Sequence, residues 1–112
     1  MFADSTEQIS VLELKAKFDA GEPVVLLDVR EPHELDICCV QNTFHIPMAE
    51  LRFKLDELEP FKEKEIVVYC RTGRRSAMAV VFLRDFGFSG AKNLIGGVHA
   101  WSDQVDSSFQ KY

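Results

Sequence analysis

The sequence has too few cysteines, and in the wrong arrangement, for a disulfide framework. It contains three cysteines, an odd number, and Cys38 and Cys39 are adjacent, whereas small secreted domains usually carry an even set. No CxxC pair is present, and the histidines His33, His45 and His99 stand apart without metal-ligand spacing. The sequence therefore predicts neither a disulfide framework of the secreted type nor a metal site.

Long hydrophobic runs and excess positive charge are also missing. No apolar stretch approaches the ~18 residues of a membrane span, and the N-terminus lacks the pattern of a signal peptide. Acidic side chains number 18 and basic ones 13, for a net charge of -5. This balance excludes a broad basic face for nucleic acid or anionic membrane. We expect a cytoplasmic protein without nucleic-acid or membrane partners.

The apolar residues that are present suffice for one folded domain. The chain has 112 residues, of which 46% are hydrophobic and 28% charged, an ordinary globular composition. A chain of this length can bury a continuous core without bridges or metals. We therefore predict a single domain over residues 1–112, whose terminal stretches, about 1–8 and 106–112, are polar enough to fray.

Apolar runs and helical periodicities alternate along the chain. Runs that are β-branched or largely apolar predict strands at 24–29, 43–47, 66–69 and 92–95. Helical spacing or helix-start residues predict helices near 10–20, 31–35, 48–61, 76–86 and 98–105. Strands alternating with helices predict an α/β fold with right-handed crossovers, a parallel sheet and helices on both faces.

One segment, CRTGRRS at 70–76, gathers positive charge in an otherwise acidic chain. It follows the predicted strand 66–69 directly and holds three arginines within five positions. In open α/β sheets, ligands bind beyond the carboxyl ends of the strands. Gly73 lets the backbone turn so that successive N–H groups can point inward as an anion cradle. These groups would lower the pKa of the Cys70 thiol, which predicts a nucleophile; the alternative is a small buried hydrophobe.

Together with three further motifs, this loop makes the sequence resemble the single-domain rhodaneses, a family of sulfurtransferases. The motifs are LDVREP at 27–32, HIP at 45–47 and GGVHAW at 96–101, so the resemblance covers nearly the whole chain. It implies a rhodanese-like three-layer sandwich, with a mainly parallel central sheet of four to five strands and helices on both faces. It also implies an enzyme without a cofactor.

The implied reaction moves a sulfane sulfur through a covalent intermediate. The Cys70 thiolate attacks thiosulfate or another persulfide donor, keeps the outer sulfur as a persulfide, and passes it to an acceptor. The acceptor is cyanide in assays and a thiol or a protein in cells. The predicted substrate-binding residues, whose N–H groups would hold the persulfide anion, are Arg71, Thr72, Gly73, Arg74 and Arg75.

Some residues of the motifs are predicted to support the loop. Asp28 and Arg30 match the Asp-x-Arg element of the family and, as alternate strand residues, would point to the same side. Ser76, which opens the predicted helix after the loop, is a third predicted support residue. Arg75 has a second interpretation, in which it ties the loop to the body of the domain. For each loop arginine, the alternative is a solvated surface charge.

The sequence departs from the family pattern before His45. Cys38, Cys39 and Val40 stand where Gly-His-Ile is common. The adjacent thiols suggest the hypothesis of a resolving pair or a vicinal disulfide, and free cysteines are the alternative. Intact mass with and without reductant would distinguish the two.

Two other functions stay open. A phosphatase or arsenate reductase of related fold has a C-x5-R loop, but that position here is Ser76, and the shorter C-x4-R loop ends at Arg75. A noncatalytic binding or regulatory module can share the fold, although such modules usually lack the loop cysteine. Because Cys70 is present, activity is the favoured prediction, and apolar residues near Phe53, Phe86 or Phe88 would form the surface on which a protein acceptor docks over the loop. The oligomeric state is not predicted.

Overall fold

The strands of the protein form one parallel sheet, with helices in the connections. The computed structural model describes residues 7–112, so the part of the predicted N-terminal fraying at 1–6 lies outside the described residues. The strands are β1 (Gln8–Ile9), β2 (Val25–Asp28), β3 (Thr43–His45), β4 (Ile66–Tyr69) and β5 (Ala91–Leu94). Their order in the sheet is β1-β5-β4-β2-β3, and every pairing is parallel.

The helices lie in the predicted segments. They are α1 (Val11–Asp19), α2 (Pro32–Leu35), α3 (Leu55–Leu58), α4 (Arg74–Asp85) and α5 (Gly97–Gln104), with 3-10 turns at Met48–Phe53 and Glu59–Phe61. A capping box begins α1: the Ser10 N–H donates to Glu13, and the Glu13 N–H donates to the Ser10 hydroxyl. Among residues 7–112, no helix combines the length and apolarity needed to cross a bilayer.

Strand β1 and the start of helix α4 differ from the sequence prediction. Strand β1 was not predicted, because a two-residue strand is too short to show a pattern; Gln8, placed in the fraying stretch, pairs with Asn93 at the sheet edge. Helix α4 begins at Arg74, two residues earlier than predicted, because Gly73 takes a φ of 101° and serves as its N-cap.

The sheet separates two hydrophobic clusters, because successive strand residues face opposite sides. Leu27 and Val68 face the side of α4, whereas Leu26 and Val67 face α1 and α5. Trp101 lies in the second cluster. These two packed faces complete the predicted three-layer α/β sandwich.

Two of the three phenylalanines predicted near a docking surface are exposed. Phe53 is 70% exposed and Phe86 is 52% exposed, whereas Phe88 is 1% exposed and packs in the core. Phe88 therefore cannot contribute to a docking surface, which corrects the sequence prediction for that residue. The cause is its contact with the cluster between α4 and the sheet.

Candidate active site

The loop after β4 is shaped by the first turn of α5. The carbonyl groups of Cys70 and Arg71 accept hydrogen bonds from the N–H groups of Val98 and His99, at 3.0 and 3.1 Å. Gly97 permits this close approach: its φ is 56°, and a Cβ there would overlap the Cys70 carbonyl oxygen and lie 2.7 Å from that of Arg71. Because these carbonyls turn toward α5, the following N–H groups are free to face the sulfur.

The sulfur of Cys70 is surrounded by hydrogen-bond donors. The N–H groups of Gly73 and Ser76 donate to Sγ at 3.1 and 3.4 Å, and the Ser76 Oγ is 3.4 Å away. Burial raises the pKa of the Cys70 thiol, but hydrogen bonds from Ser76, Gly73 and Thr72 outweigh it, so the pKa lies below its ordinary value. The side chain is nevertheless only 1% exposed.

The three loop arginines lie in different surroundings. Arg71 and Arg74 are exposed, as is Thr72. The Arg71 guanidinium lies 5.2 Å from the ring centroid of Tyr112, and its Nε lies 3.4 Å from Nε2 of His99. These two arginines can therefore meet an anion arriving from solvent.

Arg75 is held by a carboxylate of the domain. Its Nη1 and Nη2 donate to the two carboxylate oxygens of Glu34, at 2.8 and 2.9 Å, a bidentate pair. Glu34 is 6% exposed, and the guanidinium of Arg75 lowers the pKa of its carboxyl to about 2. In this geometry Arg75 joins α4 to α2, which corresponds to the second interpretation of this residue.

Asp28 and Arg30 are fully buried below the loop. The Asp28 carboxylate accepts from the Arg30 backbone N–H at 2.9 Å and from its Nη2 at 2.8 Å. The Nη1 of Arg30 donates to the Tyr112 hydroxyl at 2.8 Å, and this hydroxyl donates to Glu34 at 3.1 Å. The end of β2 is thereby linked through Glu34 to Arg75 at the loop.

Ser76 connects the sulfur to strand β5. Its Oγ lies 2.6 Å from Oδ1 of Asn93, whose Nδ2 donates to the Gly73 carbonyl at 3.2 Å. Both Ser76 and Asn93 are buried. The loop is thus fastened on one side to β5, on another to α5 and on a third to α2.

Sequence reasoning missed four residues of this site: Glu34, Asn93, His99 and Tyr112. An asparagine in a predicted buried strand is a usable signal, because strands are depleted in this residue. Tyr112 lies in the stretch 106–112 that was expected to fray, yet Ser102 donates to the Phe109 carbonyl at 2.7 Å and Tyr112 reaches Arg30. Glu34 carries no local signal, since its partner Arg75 is distant in sequence, whereas His99 lies in the family motif at 96–101 but was given no role there.

The adjacent cysteines lie beside the Arg30 network. Both are free thiols, Cys38 half-buried and Cys39 exposed. The Cys38 carbonyl accepts from Nη2 of Arg30 at 2.7 Å, and burial raises the pKa of the Cys38 thiol. A redox role for the pair stays a prediction.

Comparison with known proteins places the chain in a family. The family profile of the rhodanese-like domain matches residues 10–104. The "Adenylyltransferase and sulfurtransferase MOCS3-2" of Zea mays is 42% identical over 110 residues, which cover 94% of this chain but 23% of that protein. The "Putative sulfur carrier protein YrkF" of Bacillus subtilis is 33% identical over 93% of this chain and 55% of its own length.

A solved structure supports the same family. The rhodanese-related protein from Thermoplasma volcanium superimposes with a TM-score of 0.79 at 35% identity, over 88% of this chain and 93% of that one. The sheet order, the loop after β4 and these similarities agree, and the chain belongs to the family of rhodanese-like domains.

Proposed function

We propose that the protein is a sulfurtransferase that holds a sulfane sulfur on Cys70 and passes it to a thiophilic acceptor. The observation that carries this proposal is the convergence of the Gly73 and Ser76 N–H groups on the Cys70 sulfur. The names of the maize and Bacillus relatives, a sulfurtransferase and a putative sulfur carrier, support it. Since the chain spans 23% of the maize protein, the proposal covers the sulfur-transfer step alone.

The reaction has two displacements. The Cys70 thiolate attacks the outer sulfur of thiosulfate, a new S–S bond forms, the S–S bond of thiosulfate breaks, and sulfite leaves with the electron pair. An acceptor thiolate then attacks the outer sulfur of the persulfide, and Cys70 leaves as a thiolate. The loop N–H groups stabilise the anionic sulfur in both states. The exposed Arg71 and Arg74 would attract an anionic donor.

A noncatalytic binding module is the second candidate, and the 1% exposure of Cys70 is the observation that favours it. A donor must reach a sulfur that its own loop covers almost completely. The hydrogen-bond donors around the sulfur argue against a noncatalytic module, because an inert buried cysteine needs no inward N–H groups. The cytoplasmic location and the identity of the acceptor stay predictions.

Intact mass separates these functions. We expect the reduced protein to gain one sulfur atom after incubation with thiosulfate and to lose it on addition of cyanide. Cys70→Ala should gain none, whereas the control Cys39→Ala, which removes an exposed thiol, should gain one. A gain that persists in Cys70→Ala contradicts the proposal. Turnover of an aryl phosphate without sulfur gain would indicate a phosphatase, and neither signal would indicate a binding module.

A further inference from the structure

The hydroxyl of Ser76 has one hydrogen and two neighbours that could accept it. Its Oγ lies 2.6 Å from Oδ1 of Asn93 and 3.4 Å from Sγ of Cys70. A serine hydroxyl donates one hydrogen bond and accepts through its lone pairs. It can therefore serve one of these neighbours as a donor at a given moment, and the direction of its hydrogen decides what the sulfur meets.

The orientation of the Asn93 amide settles this direction. The Gly73 carbonyl can only accept, so the Asn93 group that faces it at 3.2 Å must be the NH₂ donor. The amide oxygen is then the atom that faces Ser76. A separation of 2.6 Å is that of a short O–H···O bond. The hydrogen of Ser76 consequently lies toward Asn93, and an oxygen lone pair faces the Cys70 sulfur.

We propose that Asn93 is a positioning residue that turns the Ser76 hydroxyl away from Cys70, so that Ser76 accepts a hydrogen bond from the thiol and withholds one from the thiolate. The contribution that the Ser76 hydroxyl would make as a donor to the lowered Cys70 pKa is then absent, and the loop N–H groups alone stabilise the thiolate.

The proposed function gives this arrangement a role. When the persulfide is discharged, Cys70 leaves as a thiolate, and a thiolate that is stabilised less leaves more slowly. Asn93 would therefore make the persulfide persist until a strongly nucleophilic acceptor arrives. This consequence rests on the proposed function, but the direction of the hydroxyl does not.

The variants that test this proposal replace Ser76 or Asn93, and they leave the charged groups near the sulfur in place. Arg75 of α4 interacts electrostatically with Cys70, and its partner is Glu34 of α2. Substitution of Ser76 or Asn93 removes no charge. A change in the titration of Cys70 therefore reports on the hydrogen bonds to its sulfur.

The first test is Ser76→Ala. The rate of Cys70 alkylation by iodoacetamide is followed against pH, with peptide mass spectrometry separating Cys70 from Cys38 and Cys39. If Ser76 withholds its hydrogen, this variant should leave the pKa of Cys70 unchanged or lower it. If Ser76 instead donates to the thiolate, its loss should give about tenfold less thiolate at a pH below the pKa. That decrease would overturn the proposal.

The second test uses Asn93→Ala, alone and combined with Ser76→Ala. Alone, it frees the hydroxyl to turn to the sulfur, and we expect about tenfold more thiolate below the pKa. The double variant loses the same Asn93 bond to Gly73 but lacks the hydroxyl, so the increase should vanish. An equal increase in both variants, or none in either, would overturn the proposal.

The two proposals can fail separately. Alkylation needs neither a sulfur donor nor an acceptor, so this readout is valid even if the protein gains no sulfur from thiosulfate. A thermal melt of each variant checks that it folds. If Asn93→Ala does not fold, the Ser76→Ala profile still decides the direction of the hydroxyl.

Discussion

At the scale of single residues, Arg74 and Arg75 show how neighbouring identical side chains take different roles. Arg74 is exposed to solvent at the start of α4. Arg75 makes a bidentate pair with Glu34, which is 6% exposed. An exposed guanidinium can meet an anionic donor, whereas a guanidinium already paired with a carboxylate mainly organises the loop.

We predict that Arg74→Ala affects substrate binding and that Arg75→Ala affects stability. Arg74→Ala should raise the KM for thiosulfate a few-fold and leave stability within about 0.5 kcal/mol. Arg75→Ala should lower the free energy of unfolding by about 1–3 kcal/mol, because it leaves a buried carboxylate unpaired. We place this below the range for fully buried pairs because the Arg75 side chain is 36% exposed.

Urea unfolding and steady-state kinetics with thiosulfate measure the two effects. The variants serve as controls for each other, since each removes one guanidinium from adjacent positions. Equal stability of both variants would contradict the assignment of Arg75, and an unchanged KM in Arg74→Ala would contradict that of Arg74.

At the scale of elements, helix α5 determines the shape of the loop after β4. The first turn of α5 takes up the carbonyls of Cys70 and Arg71, and this leaves the loop N–H groups to the sulfur. The contact requires that α5 begin with Gly97, because the backbone of the loop passes directly over it. The first turn of α5 thus determines which groups surround the thiol in the loop after β4.

A comparison of Gly97→Ala with Gly21→Ala separates the backbone strain of a positive φ from a steric clash of the new Cβ. Both glycines have positive φ, 56° and 72°, but a Cβ at Gly21 meets nothing within 4 Å. Gly21→Ala should cost about 1–2 kcal/mol from backbone strain and leave the titration of Cys70 unchanged. Gly97→Ala should cost more and raise the pKa of Cys70, because the displaced loop withdraws its N–H groups.

Urea unfolding and the alkylation profile of Cys70 test this pair of variants. A Gly97→Ala protein with the stability of Gly21→Ala and an unaltered profile would show that the loop does not depend on α5.

At the scale of the whole molecule, a buried polar network joins β2, α2, α4 and the C-terminal residue around the loop. Glu34 is its centre, since it bonds to Arg75 and to Tyr112. Its carboxyl pKa is lowered from 4.5 to about 2, chiefly by the hydrogen bond from Arg75. A lowered pKa means that the ionised pair stabilises the fold above the unfolded pKa and that this stabilisation is lost as pH falls toward 2.

We predict that Glu34→Gln lowers stability at pH 7 by about 2–3 kcal/mol, the order of size of this pKa difference after allowance for solvent at Arg75. The difference from the parent protein should persist down to about pH 4.5 and then shrink, because below that pH the Glu34 carboxyl of the unfolded parent chain takes up a proton while the folded carboxylate, with a pKa of about 2, does not. Urea unfolding of both proteins between pH 7 and pH 3 measures this difference. A difference that stays constant over the whole range would contradict the prediction.

The sequence by itself determined the α/β fold, the strand that ends directly before Cys70 and the glycine that turns the loop. These features depend on residues near one another in the chain. Apolar runs and helical spacing show which segments are buried, and Gly73 acts on its own backbone. The family motifs add the expectation of a nucleophile at position 70. Interactions confined to a short segment leave a readable pattern.

Only the tertiary structure decided which groups meet at the sulfur. Glu34 lies 41 residues from Arg75, Asn93 lies 17 residues from Ser76, and Tyr112 lies 82 residues from Arg30. No local periodicity encodes such pairs, because the crossovers of a parallel sheet bring together strand ends that are remote in the chain. The partner of each polar side chain, and hence the direction of one serine hydrogen, follows from the packing of elements across the sheet.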